Sequence, residues 1–342
     1  PTPDAELWVD DIRLVEPVSR AGSAMAVDAP LIASDVGELS LGFVRQDGYF
    51  QQIGQDPSYR TTGTMQVASG ARLDRFLPTG LGVVVPVSIA YARSTVDPQL
   101  LTGTDIEGKD LAGLRKPESW ALNYTFSINR IQRGQSWLVR GFIDPLSLNG
   151  NFSNGRNTSE LSTARNNSHS LQASYLLQQG KRGFTLNLGG LVGILPGFLR
   201  KSDAGNGLQR PGVNLVPGTI RLSSSINRSE SDVFVYQVPV HRDSDAVVRP
   251  INALTHLWRN SAGLTWQPLG MLALSSDLAS ARDLRRYDDS TAIGRLAGAS
   301  RKSLAGLDVG VESERQFGTG FSLTPRLASW LRTDFWGEYE NE

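Results

Sequence analysis

The segment SWALNYTFSINR alternates without a fault. Trp120, Leu122, Tyr124, Phe126 and Ile128 fall on one phase, and Ala121, Asn123, Thr125, Ser127 and Asn129 on the other. A period of two means an extended chain with two unlike faces. The segment TIRLSSSIN repeats the pattern. Ile220, Leu222 and Ile226 alternate with Arg221, Ser223, Ser225 and Asn227, and Ser224 is the one polar residue on the apolar phase. A strand like this must rest its apolar face on something other than water. In a soluble sheet that is a protein core. In an outer-membrane barrel it is lipid, and the polar phase lines the interior.

Comparable segments recur along the chain. GELSLGFVRQ puts Leu39, Leu41 and Phe43 in phase, and GTMQVASGARL does so for Met65, Val67, Ala71 and Leu73. In LGVVVPVSIAYARS the residues Val83, Val85, Val87, Ile89 and Tyr91 share a phase. Pro86 falls on the other phase, removes a ladder donor and predicts a local break. LSLNGNFS, SHSLQASYLLQQ, GFTLNLGGLV, WRNSAGLTWQP, GMLALSSDLASA, AGLDVGVESERQ and FSLTPRLASWL extend the series. The reading is all-β, about a dozen strands of roughly 9–12 residues, the length that crosses a bilayer when tilted. Residues 153–168, 200–212 and 284–302 read as long polar loops. Shorter links such as QQGKRG alternate with them, and short turns at one end with long loops at the other is barrel organisation.

Composition narrows the class. Lys and Arg total 34, as do Asp and Glu, so the formal net charge is zero and no basic excess points to nucleic acid. Mean hydropathy is -0.23, a value that alternation produces even in a membrane barrel. No apolar run is long enough for a transmembrane helix. The absence of cysteine excludes disulfides and thiolate metal sites. The polar phase is mostly Asn, Ser, Thr, Gln and Arg, whereas the wet face of a soluble sandwich usually carries many Lys, Asp and Glu. Trp120, Trp258, Trp266 and Trp330 read as aromatics near strand ends, where a bilayer places them at the headgroup level.

Signals for chemistry are weak. PVHRDSD brings His241 and Asp243 onto one side of a strand but specifies no nucleophile. No H-E-x-x-H, G-x-S-x-G or P-loop spacing occurs, and the acids of the loops lack EF-hand offsets. No enzyme activity, metal or cofactor is expected.

Several segments in order resemble the SprA family, the giant outer-membrane translocon of the type IX secretion system. They are ELWVDDIRL, DVGELSLGFVRQDGYFQQIGQ, ARLDRFLPTGLGVVVPVSIAYARS, LNYTFSINRIQRGQ, LLQQGKRGFTLNLGG, LVPGTIRLSSSINRSES and LWRNSAGLTWQPLGMLALSSDLASARD. The family is far longer than 342 residues. The resemblance therefore implies a partial chain. Residues 1–16 would be the last strand of a preceding soluble β domain, and residues 17–342 a segment of a large antiparallel transmembrane barrel in the outer membrane. The end FWGEYENE lacks the terminal aromatic usual for a complete barrel. The implied role is export of folded cargo proteins through a wide polar pore, with no catalysis in the barrel. The implied partners are the lipid bilayer, the secreted cargo, a small outer-membrane barrel and a periplasmic plug. In this reading Trp120, Leu122, Tyr124, Phe126, Ile128, Ile220, Leu222 and Ile226 face lipid. Asn123, Thr125, Ser127, Asn129, Arg221, Ser223, Ser225 and Asn227 face the lumen. Two other readings stay open at this point: a smaller closed porin for solutes, and a secreted β-sandwich adhesin.

Overall fold

A computed structural model of the chain describes residues 21–55, 57–99, 107–178, 185–186, 213–214, 216–301, 303–304, 306–324, 326–328 and 331–341. The expected strand over residues 1–16, the link QGKRGF, the loop 200–212 and Trp330 lie outside them.

Twelve long strands run in chain order. They are β1 (Ala24–Ala33), β2 (Gly37–Gln46), β3 (Arg60–Arg72), β4 (Pro86–Pro98), β5 (Glu118–Arg130) and β6 (Leu146–Thr158). Then follow β7 (Ser162–Gln178), β8 (Thr219–Val235), β9 (Ile251–Leu269), β10 (Leu272–Asp283), β11 (Val311–Leu323) and β12 (Phe335–Asn341). Each pairs antiparallel with the strands next to it in sequence, so the sheet is an uninterrupted meander. A two-residue piece, Val83–Val84, pairs with Asn129 and Arg130 and makes the sheet thirteen-stranded. β1 and β12 are its two edges.

The break expected at Pro86 is present: the ladder stops at Val85 and resumes at Pro86. The neighbouring groups are not left bare. The Val85 N–H donates to the Asp74 carboxylate at 3.1 Å, and the Val85 carbonyl accepts from Leu73 N–H at 3.0 Å. Arg72 holds Asp74 from the other side at 2.9 Å. The Val85 N–H left outside the ladder beside the proline is thus satisfied by a local side-chain acceptor.

Several expectations need correction. β8 and β9 span 17 and 19 residues, well beyond the expected length. The polar stretch 153–168 is not a loop. It forms the ends of β6 and β7, joined by the tight turn 159–161, in which Ser159 N–H donates to the Ser162 carbonyl at 2.8 Å. Here both faces are polar, so alternation carries no signal and the strands read as loop. The loop 284–302 contains a helix, α1 (Ala292–Ser300), capped where the Thr291 hydroxyl accepts from Gly294 N–H at 2.9 Å. FSLTPRLASWL is not one strand, because β11 stops at Leu323. β1 and β12 escaped the sequence reading: Pro30 interrupts the first, and Glu338 and Glu340 leave the second with little apolar signal. Nor do short turns gather at one end. Calling the β1–β2 end end A and the opposite one end B, tight turns lie at end A (34–36 and 270–271) and at end B (159–161). Longer connections also lie at both ends.

Close packing marks two points of the sheet. The Phe126 ring lies over Gly150, and the Phe321 ring lies over Gly337, each ring filling the place of the missing Cβ. Gly150→Val should force the ring aside and cost about 1–3 kcal/mol. The measurement is the temperature at which the chain, folded in detergent micelles, loses its heat-modifiable gel mobility. Gly218→Val, where an added Cβ would come no closer than 3.6 Å to its nearest neighbour, should shift it much less.

A candidate pore wall with an uncovered apolar back

Register decides which side chains share a face. Phe126 pairs with Gly150, Gly150 with Leu171, Leu171 with Ile226, and Ile226 with Trp258. The apolar phase of β5 and that of β8 therefore belong to one surface. All eight residues expected to face lipid lie on it. On the other surface Thr125 pairs with Asn151, Asn151 with Ser170 and Ser170 with Asn227. Asn129 connects through Ser147 and Ser174 to Ser223 in the same way. All eight residues expected to face the lumen lie there.

Among the described residues no second sheet lies over the apolar surface; connections at end A reach its border, where Tyr175 donates to the Gly141 carbonyl and Trp266 to the Asn214 carbonyl. Among the described residues only Leu114 and Val309 are buried hydrophobics, and both sit in connections between strands. Ile89, Leu222, Ile226 and Phe321 are 45%, 46%, 42% and 48% exposed. The same surface carries Val27 and Leu31 at one edge and Phe335 and Tyr339 at the other. A soluble sandwich would bury this surface against a second sheet. Among the described residues the long strands all belong to a single sheet, so they offer the sandwich reading no second layer. Ser224, the polar intruder in the apolar phase, accepts from the Trp258 indole at 2.8 Å. Trp258 lies mid-strand rather than near a strand end, while Trp266 lies close to the end of β9 and donates to the Asn214 carbonyl at 2.8 Å.

The apolar band runs obliquely to the hydrogen-bonded rows. One row holds Val27, Phe43, Met65, Arg93 and Trp120 on β1–β5 and lies in or at the border of the band there. The same row continues as Arg156, Arg165, Asp232 and Asn252 on β6–β9, where it is polar. Further along the strands, the row of Tyr175, Leu222, Leu278 and Phe317 is apolar on β7–β11. The band drifts by about one residue per strand, or roughly 3.4 Å for each 4.8 Å step, an angle of about 35–40°. Strands of a closed barrel tilt from its axis by about the same angle.

The polar surface is concave. A recess of about 710 Å³ opens on it and spans β2 to β7, with Glu38, Gly70, Ser88, Thr125, Asn149 and Gln172 in its lining. Charge enters the lining only on the β2–β3 side, as Asp35, Glu38 and Arg72; on β5, β6 and β7 this surface carries no Asp, Glu, Lys or Arg. The groups largely satisfy one another. Ser88 and Thr125 hydroxyls lie 2.5 Å apart, Ser147 and Ser174 2.5 Å, and Ser223 and Ser261 2.7 Å. Ser170 donates to Asn227 Oδ1 at 2.6 Å, and Asn227 Nδ2 donates to Ser225 at 3.3 Å. Exceptions exist: Val44, Leu176 and Trp336 share the polar surface and are exposed.

Connections at end B are tied together by a feature that the sequence reading missed. Arg115 is fully buried between three of them. Its guanidinium donates to the Val238 carbonyl at 2.5 Å and the Glu160 carbonyl at 3.3 Å, pairs with Asp245, and lies 3.7 Å from the Tyr236 ring centre. Nothing in the local sequence RKPES marks Arg115, because its partners come from residues more than forty positions away. His241, read with Asp243, instead approaches Asp245 at 3.9 Å and remains exposed. The backbone N–H of Arg242 and the Arg115 guanidinium hold the Asp245 carboxyl below its ordinary value, against the opposing effect of burial.

No family model matches the chain, and no curated protein matches it. Among solved structures it is similar to the translocator domain of the autotransporter NalP from Neisseria meningitidis, with 10% identity and a TM-score of 0.22. The match covers 88% of this chain and 76% of that one. The overlap is too loose to carry an activity across.

The two surfaces predict opposite responses to charge. Leu222→Lys should destabilise the chain in phospholipid vesicles by about 2–4 kcal/mol, as a cation on a lipid face does near the bilayer centre. Ser223→Lys, one residue away on the polar surface, should change it little. Denaturant titration in vesicles measures both. The Asp245 contribution has the sign of a lowered carboxyl: present above the unfolded-state value, lost as pH falls through the folded one. Proteolysis within 236–250 should therefore quicken below the usual carboxylate range, and Asp245→Asn should show the fast rate already at neutral pH.

Proposed function

We propose that the chain is a segment of a large outer-membrane β-barrel whose neutral, concave surface lines a protein-conducting pore. One observation carries this reading: an apolar surface running across the whole sheet, with no second layer over it among the described residues, bounded along an oblique line at the angle of barrel strands. Lipid is the solvent that such a surface fits. The backbone supports it, since a meander pairs every interior strand on both sides and leaves only two edges to close. A wall of self-satisfied hydroxyl and amide groups suits passage of unrelated polypeptides, because it offers water-like contacts and few fixed charges to hold them. Barrel diameter grows with strand number, so a folded cargo requires more strands than this sheet contains.

The finer proposal is the one that the SprA resemblance implies. The chain would form part of the type IX secretion translocon, with secreted proteins as cargo and with a small barrel and a periplasmic plug as partners. A smaller closed porin is the alternative.

Two measurements test the proposal. Carbonate washing should leave the protein in the membrane fraction; release without detergent would overturn the membrane reading. In planar bilayers the full-length protein, freed of partners, should conduct far above porin size. Thr125→Lys should shift its reversal potential towards anions, and an unchanged potential would take the polar surface out of the pore.

A further inference from the structure

The apolar surface does not end in bare polar residues at end B. It ends in arginines, and their line follows the oblique border of the band. Arg93, Arg228, Arg282 and Arg315 all lie on this surface, and each is paired with a glutamate. Arg93 meets Glu118 at 2.8 Å and Arg228 meets Glu230 at 3.2 Å. Arg282 and Arg315 share Glu312 at 3.3 and 2.5 Å.

Three arginines of this surface break the rule: Arg45, alone near the end of β2, and the pair Arg156 and Arg165. Arg156 and Arg165 stand directly opposite each other on β6 and β7. Both are exposed, and neither makes an ion pair within the described residues. Like charges directly opposed across a strand pair repel, with Cβ atoms about 5 Å apart. The surroundings hold them there. Trp120 flanks Arg156 in the same row, and the Arg165 guanidinium lies 5.3 Å from the Phe234 ring centre. Asp232 stands opposite Arg165 on β8, but its carboxylate accepts from Asn252 at 2.6 Å and makes no ion pair with the arginine. The first outward apolar residue on β6 is Phe152, beyond Asn154. At the band's tilt this puts Arg156 about 10 Å beyond the hydrocarbon border, within reach of headgroups for a long side chain that extends back along the sheet.

We propose that Arg156 and Arg165 form a binding site for the phosphate of an anionic lipid headgroup in the leaflet at end B. Two guanidinium forks side by side match the oxygens of one phosphate, whose charge would relieve their mutual repulsion. The indole of Trp120 would lie beside the glycerol or sugar part of the lipid. This inference rests on the membrane reading above.

The experiment uses the full-length protein, wild type and R156Q/R165Q, reconstituted in phosphatidylcholine vesicles with or without phosphatidylglycerol or lipid A. Anionic lipid retained after extraction is counted by native mass spectrometry. Each cation near an anionic surface contributes about 1 kcal/mol, so the double variant should bind the lipid at least about tenfold more weakly. Loss confined to lipid A would place end B at the outer leaflet, and loss confined to phosphatidylglycerol at the inner one; either supports the site. Retention equal to wild type, or displacement of the lipid by inorganic phosphate alone, would overturn it. R156K/R165K guards against misfolding, since it keeps both charges, loses the forks and should fall between the two. A wild-type protein that enters the vesicles yet shows no difference from the variant removes only this site. One that never enters them removes the membrane reading itself.

Discussion

The unbroken antiparallel ladder is the constraint on which the rest of this structure depends. Without a core, little holds the described strands together apart from their hydrogen bonds and the side chains that pair along the rows. In hydrocarbon an unpaired backbone group costs several kcal/mol, so any fault in the ladder must be compensated on the spot. The break at Val85 shows how: Asp74 accepts from the stranded N–H, and Arg72 fixes Asp74. The apolar surface follows the same logic with side chains. Ser224 is tolerated there because the Trp258 indole lies against it.

The two faces serve unlike demands. The outer one is selected for apolarity, and its glycines at positions 150 and 337 admit aromatic rings that stiffen the curve. The inner one is selected for indifference. Ser, Thr and Asn side chains bond to one another along and across the rows, which leaves few donors and acceptors pointing outward unsatisfied. Charge on the polar face includes Glu38 and Arg72 near one edge, Glu338 and Glu340 near the other, and Arg221, Arg259 and Asp277 on the strands between.

Which residues share a face was legible in the sequence wherever an apolar phase alternates with a polar one. Trp120 to Ile128 and Ile220 to Ile226 alternate between an apolar and a polar phase, and the register joins the like phases into one surface each. Legibility failed where that contrast vanished. Between Ser153 and Ser168 both faces are wet, so a strand pair carries the composition of a loop. It failed again where partners are distant in sequence, as for Arg115. The obliquity of the band could not be read from any single strand, because it exists only in the register between strands.

Arg115 has a mechanical meaning beyond local stability. It ties the connections between β4 and β5, β6 and β7, and β8 and β9 to one another, as a hoop ties staves. Widening the sheet at end B means pulling a guanidinium out of a cage of carbonyls, carboxylate and aromatic ring. No comparable cross-tie spans three connections among the described residues of end A. The strands should then splay more readily at end A than at end B, where one buried guanidinium holds three connections in step.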